Sequence, residues 1–484
     1  MKNKFYCLVA FSVLIVAHIF LLLKSSLYIT PELIFPVWVT SNAKVFVSEI
    51  QSVYPPSLFY IVSLLYRYSN NLFFSVNVIQ LLFILTIDGL LFNYLVRKFN
   101  FKLAILGLAF YIPWQVYFRG NYLWFDLATI PFVLLSFLFF EKYLDHYEIN
   151  QLASSSAFLA LGLLFKNTVL WIYILYFVWL SSLAITKSVK LRSYIKTLII
   201  LLIPLVTAIG INFLTVLEKT TFEFAFYWNF LIQNIIYPRM PTLQRSIESN
   251  YALPMVIILS IIIISCLVIE KYSKLKNDQK LFIYSFSFVS LANIYPRWSD
   301  FHVQPFLVFL TIAVIYAISL LDKLTKFHKK TLTLIGFVIL TLTVLIFVKR
   351  ISAERTNINV NRIDYISEYA PTTLTSLIKG KDIFVEDFSL YNGVSTNQDI
   401  DASGGQTFKL AITSPDKFFK FTSAQETFNF VSKKNPQLII IPMQVQEREI
   451  SGINLTSFEK LIKDKYRLQA NVAGVYFIYN RETN

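Results

Sequence analysis

The sequence predicts a polytopic α-helical membrane protein, of about eleven spans, with a small C-terminal α/β domain. Three observations predict it. Hydrophobic residues make up 56% of the chain and charged residues only 15%, where soluble domains carry about 25% charged. Apolar runs recur from the N-terminus to residue 348, and a crossing needs about 20 such residues. Lys and Arg gather in alternate loops, as topology signals do.

The first run, MKNKFYCLVAFSVLIVAHIFLLL, resembles a secretory signal. Its apolar stretch exceeds a signal core and no small-residue cleavage site follows, so it reads as the first span. Spans are expected near 5–23, 72–95, 103–118, 122–140, 152–166, 168–186, 196–216, 252–270, 281–295, 303–321 and 331–348. The basic runs KSVKLRSYIK, EKYSKLKNDQK and DKLTKFHKK then fall on one side, the cytoplasmic one. This layout implies a multi-pass protein of the cytoplasmic membrane. Its N-terminus is cytoplasmic and its C-terminal domain extracytoplasmic.

Two outer loops are long. In 24–71, the stretch SLFYIVSLLYRY follows two prolines and is too short to span, which suits a helix lying in the interface. The loop 217–251 contains the aromatic segment TFEFAFYWNFLIQNII, expected at the same level. The membrane domain is thus 1–351 and the soluble domain 352–484. In the latter, strand-like KDIFVEDF, PQLIIIP and GVYFIYN alternate with the amphipathic patterns AQETFNFVSKK and SFEKLIKDKY.

The net charge of +15 follows the loops, which argues against nucleic acid as a partner. The two cysteines, Cys7 and Cys266, both lie in apolar segments and form neither a disulfide framework nor a metal-ligand spacing. The four histidines exclude a His-rich metal site. The C-terminal domain contains no nucleotide loop and no catalytic-triad signature, and the chain shows no repeat of 20–50 residues.

Ionisable residues in or beside spans are costly and are functional candidates. Glu32, in ITPELIFPVW, and Glu49, ahead of YPPSLFY, are carboxylates of the first outer loop. Held at the membrane lip, either could serve as a general base; both could equally be solvated loop acids. Asp126 lies just inside a span, in FDLATIPFVLL, and needs a partner: Arg119 or Lys166. Lys166, in LGLLFKNTVLW, opposes the positive-inside trend, which suits an anionic headgroup or a structural pair with Asp126. Arg239 and Arg245, in IIYPRMPTLQRSIE, and Arg297, in IYPRWSDFHVQPF, suit a lipid phosphate or simple interfacial anchoring. Asp300 and His302 share the second of these segments, where His302 could contact a phosphate or orient a carboxylate.

Together these pieces resemble the C superfamily (GT-C) of integral-membrane glycosyltransferases. The nearest branch holds protein O-mannosyltransferase-like and aminoarabinose-transferase-like enzymes. The likeness rests on a first span followed by a loop acid (Glu32), then Glu49 ahead of YPPSLFY, Asp126 in FDLATIPFVLL, the hairpin GLLFKNTVLW and the late PRWSDFHVQP. It covers about residues 1–350, and an outside C-terminal domain is also typical. The resemblance implies a polyprenyl-phosphate-linked sugar donor, used outside the cytoplasm, with the first-loop acid as base.

The expected activity is therefore transfer of a sugar from a polyprenyl-phosphate carrier to an extracytoplasmic glycan, lipid or protein. Glu32 is the expected base, with Glu49 and Asp126 as supporting or alternative acids. Lys166, Arg239, Arg245 and Arg297 are expected at the donor phosphate, and His302 with Asp300 as orienting residues. The acids leave a divalent metal open, with no ligand spacing to demonstrate one. The rival readings are a polysaccharide polymerase or ligase and a lipid or sugar transporter. The transporter reading finds only Asp88 as a mid-span acid, placed near the inner end of its helix, and no internal symmetry.

Overall fold

The computed structural model describes residues 2–24, 55–69, 72–118, 120, 123–186, 190–217, 249–274, 277–294, 300–321, 330, 345, 383–385, 400–401, 432, 435–442, 464–472 and 476–482. Two compact units divide the chain. One comprises 1–28, 76–211 and 245–359; the other comprises 29–75, 212–244 and 360–484.

Ten of the eleven expected spans fall on helices. The helices are α1 (Lys2–Lys24), α2 (Ser57–Ser69), α3 (Leu72–Lys98), α4 (Phe101–Tyr117), α5 (Phe125–His146), α6 (Ile149–Leu163), α7 (Leu170–Thr186), α8 (Leu191–Leu217), α9 (Ser249–Tyr272), α10 (Asn277–Val289) and α11 (Gln304–Ser319). The span expected at 331–348 lies almost wholly outside the described residues, as does TFEFAFYWNFLIQNII. Six described helical segments are long and apolar enough to cross a membrane: 74–98, 125–146, 167–186, 191–215, 254–272 and 301–319. In lipid the helix satisfies its own backbone, which explains why these apolar runs take no other form. Internal prolines at 113, 131, 204 and 254 leave the helices unbroken.

Helix ends follow local chemistry. Asn100 caps α4 by accepting from the Leu103 amide at 3.0 Å. Tyr147 closes α5 in the left-handed region (φ 56°), its amide donating to Tyr143 O at 2.7 Å. That tight turn folds α6 back on α5. Hydroxyls stitch the hairpin and tie it to α7: Ser155 Oγ donates to Ser136 O at 2.8 Å, and the Ser136 hydroxyl meets that of Tyr176 in α7 at 2.9 Å. Such bonds join helices where apolar attraction cannot.

α11 is the central helix, with every residue from Gln304 to Ala317 buried. Around it lies an aromatic core. Phe137 stacks on Phe282 at 5.1 Å, Phe140 on Tyr176 at 4.0 Å, and Phe286 tilts against Phe309 at 4.6 Å. α8 lies at the opposite extreme, exposing Leu191, Ile195, Ile199, Ile203 and Val206 to the surroundings. The end of the bundle near Lys98 is tied by Lys98 Nζ donating to Glu141 Oε1 at 2.9 Å.

The second unit contains a mixed sheet of order β2-β1-β3-β5-β4, from β1 (Ile383–Val385), β2 (Ile400–Asp401), β3 (Leu438–Pro442), β4 (Tyr466–Val472) and β5 (Tyr476–Arg481). β1 runs parallel to β2 and β3, and β5 antiparallel to β3 and β4. The three expected strands are present. The helical pattern expected through SFEKLIKDKY stops before Tyr466, which begins β4. Cross-strand pairing of Tyr466 with Arg481 takes precedence over a short amphipathic period there.

Candidate functional site

Three of the expected site residues meet at one end of the bundle. Asp126 sits in the first turn of α5, where the helix N-terminus favours negative charge. Lys166 follows the end of α6, in extended backbone (φ −153°) ahead of the short 3-10 turn Asn167–Val169. His302 belongs to another 3-10 turn, Asp300–Val303, that leads into α11. Three separate connections therefore present three side chains to one point.

The contacts are close. Lys166 Nζ donates to Asp126 Oδ1 at 2.5 Å, and His302 Nδ1 lies 2.7 Å from Asp126 Oδ2. Lys166 Nζ stands 3.2 Å from His302 Nδ1. Since a lysine has no acceptor and the carboxylate has no donor, His302 Nδ1–H donates to Asp126. The Asp126 side chain is 0% exposed, Lys166 6% and His302 7%. Charges at this depth persist only when paired and hydrogen-bonded. Both Asp126 oxygens are engaged, so this carboxylate holds two donors rather than standing ready to take a proton. The cluster has a cationic surplus whenever His302 is protonated, and presents an ammonium and an imidazole fixed side by side.

Thus the partner of Asp126 is Lys166; Arg119 lies outside the described residues. His302, expected either at a phosphate or beside a carboxylate, contacts the Asp126 carboxylate. Glu32, Glu49, Arg239, Arg245 and Arg297 lie outside the described residues. Asp300 is described in backbone only, at the first position of its turn. Among the described residues, no group of three His, Cys, Asp or Glu side chains is placed to hold a metal ion.

Several polar residues that the sequence reading missed lie in the same unit. His18, Gln115 and Gln304 are buried, and His18 pairs with Asp88. Asp88 is not near the helix end as expected: it lies about 15 Å along α3 from Lys98, at the rise of about 1.5 Å per residue. A histidine inside the apolar run of α1 was the available signal, by the cost of burying it.

The apolar helices, the buried ion cluster and the central α11 together form a polytopic helical membrane fold. The chain is similar over 98% of its length to ArnT from Cupriavidus metallidurans, whose crystal structure was solved bound to undecaprenyl phosphate. The match covers 97% of that chain at a TM-score of 0.60 and 13% identity, a likeness of fold. No protein-family model and no curated protein sequence matches the chain.

Proposed function

We propose that this protein is a membrane glycosyltransferase that moves a sugar from a polyprenyl-phosphate carrier to an acceptor outside the cytoplasmic membrane. The observation that carries this reading is the near full-length fold likeness to a protein solved with undecaprenyl phosphate. The Asp126–Lys166–His302 cluster supports it, since it holds a buried ammonium at one end of the bundle.

In this reading the acceptor oxygen attacks the anomeric carbon of the donor sugar. Glu32 takes the acceptor proton as that bond forms, with Glu49 as the alternative acid. The bond from the anomeric carbon to the phosphate oxygen breaks, and polyprenyl phosphate departs with the electron pair. Charge grows on the phosphate, so fixed cations lower the barrier. Lys166 supplies one, held by Asp126 and flanked by His302. Arg239, Arg245 and Arg297 supply further contacts, and Asp300 orients its neighbours.

The test is transfer from a synthetic polyprenyl-phosphate sugar in proteoliposomes containing envelope acceptors. Glu32→Gln is expected to abolish transfer while carrier binding persists, and Lys166→Met to weaken carrier binding. Full activity in the Glu32→Gln and Glu49→Gln variants together would remove a carboxylate base from the mechanism. Absence of transfer by the intact protein, with its expected carrier and acceptors present, would remove the reading itself.

A further inference from the structure

His18 in α1 and Asp88 in α3 form a buried pair that the sugar-transfer scheme does not use. The His18 Nδ1 to Asp88 Oδ2 distance is 2.7 Å, and neither side chain is exposed. From this pair a chain of hydrogen bonds runs toward the charged cluster. His18 Nε2 lies 2.8 Å from Gln115 Oε1 in α4. Gln115 Nε2 donates to Gln304 Oε1 at 3.2 Å. Gln304 Nε2 donates to Phe118 O at 2.7 Å and reaches Gln115 O at 3.4 Å.

The direction of the chain is fixed by its far end. Phe118 O and Gln115 O are carbonyls and only accept, so the Gln304 amide nitrogen faces them. Its oxygen then faces Gln115 and must receive a donor. The Gln115 oxygen is left facing His18, so His18 Nε2 carries a proton and donates it. On the other side of the ring, Nδ1 and Asp88 Oδ2 share a single proton. The pair is net neutral whichever atom holds that proton, which makes it tolerable within the membrane.

This chain ends on the two segments that deliver the site residues. Gln304 lies two positions after His302, at the start of α11. Phe118 begins the turn between α4 and α5, upstream of Asp126. The same turn is held again by the Gly120 amide donating to Gln115 O at 2.8 Å and by Gln80 Nε2 donating to Gly120 O at 2.7 Å. A Cβ on Gly120 would collide with the Gln115 side-chain amide, so the turn is closed down on this group. Asp88 Oδ1 has no hydrogen-bond partner among the described residues.

We propose that His18 is a positioning residue, with Asp88 as its hydrogen-bond partner. Acting through Gln115 and Gln304, His18 sets the register of the 118–120 turn against the start of α11, and so the approach of His302 to Asp126. In its effect on turnover this rests on the sugar-transfer reading; the geometric coupling does not.

The test separates the two. The protein has four histidines, so a 15N spectrum of the histidine-labelled full chain in lipid bilayers resolves few imidazoles. His18→Phe and Gln115→Leu, which cut the chain, are expected to move the His302 signal. Asp88→Asn is expected to leave it in place, because the new amide can donate to Nδ1 while Nε2 keeps its proton. Ser287→Ala, in the buried face of α10 and outside the chain, is the control and should not move it. In transfer assays, His18→Phe should lower kcat by about tenfold or more with an unchanged KM for the donor, the signature of lost placement rather than lost binding. Asp88→Asn should stay within about twofold of the parent. A His302 signal unmoved by both His18→Phe and Gln115→Leu would overturn the proposal, whether or not transfer is detected. Should one of these variants fail to fold, the response of the other decides the question alone.

Discussion

Asp126 and Lys166 illustrate how a single residue's solvation cost becomes a structural commitment. Each is tolerated at its depth only because of the other, and His302 completes the set. The consequence is an asymmetry between single and double replacements. Lys166→Met leaves a buried carboxylate with one donor and should cost about 3–5 kcal/mol of stability. Adding Asp126→Asn should recover a large part of that loss, since the uncompensated charge disappears. Thermal unfolding in detergent, read for both variants, measures the difference. Additive losses would mean that the two groups do not depend on each other. The sequence showed that a carboxylate inside FDLATIPFVLL demands a cation, and offered Lys166 in LGLLFKNTVLW beside Arg119. His302 as the third member was not legible: it lies far along the chain, and a histidine beside PRWSD reads equally well as a phosphate contact. Gln115 and Gln304 were less legible still. An amide in an apolar run has no charge to flag it, and only the fold shows that two such amides meet.

At the scale of elements, packing distance decides what each helix tolerates, and glycines make the contrast measurable. Gly107 in α4 sits against α3 and α11. A Cβ there would stand 2.5 Å from Leu95 Cδ1 and 3.1 Å from Ile315 Cγ1. Gly210 in α8 has nothing within 4 Å of the same position. Gly107→Ala should therefore destabilise by about 1–3 kcal/mol through overpacking. Gly210→Ala should stabilise by up to about 1 kcal/mol, the helix-propensity difference. Paired melting curves test the signs. A gain from Gly107→Ala would mean that α3, α4 and α11 do not approach as closely as described. Apolar runs of about 20 residues gave away the helices because a helix satisfies its backbone within one such segment. Their ends were harder to read. The helix α6 stops at Leu163, although Leu164 and Phe165 continue the apolar run. The polar Lys166–Asn167–Thr168 break was legible and set the expected end at 166; the earlier stop belongs to the turn that carries Lys166 to Asp126.

For the whole molecule, the ion cluster and the Lys98–Glu141 pair mark opposite ends of one bundle, since Asp126 and Glu141 lie about 22 Å apart along α5 at the rise of about 1.5 Å per residue. The donor scheme requires the cluster end to face away from the cytoplasm. The positive-inside rule predicts that orientation, because KSVKLRSYIK and EKYSKLKNDQK follow α7 and α9, away from the cluster. The chain's own chemistry makes the test clean. Its only cysteines are Cys7 and Cys266, so replacing both by Ser gives a background for single probes. In that background, Ser188→Cys lies in the basic loop between α7 and α8, and Ser451→Cys in the C-terminal domain. A membrane-impermeant maleimide should label Ser451→Cys in cells whose cytoplasmic membrane is intact. It should label Ser188→Cys only after that membrane is opened. The reverse pattern would put the Lys166 ammonium at the cytoplasmic face, where the proposed acceptor is not found. Labelling of both positions in intact cells would place residues 188 and 451 in one compartment. That requires an even number of crossings between them, whereas the expected layout has an odd one, and the span expected at 331–348 would have to be redrawn.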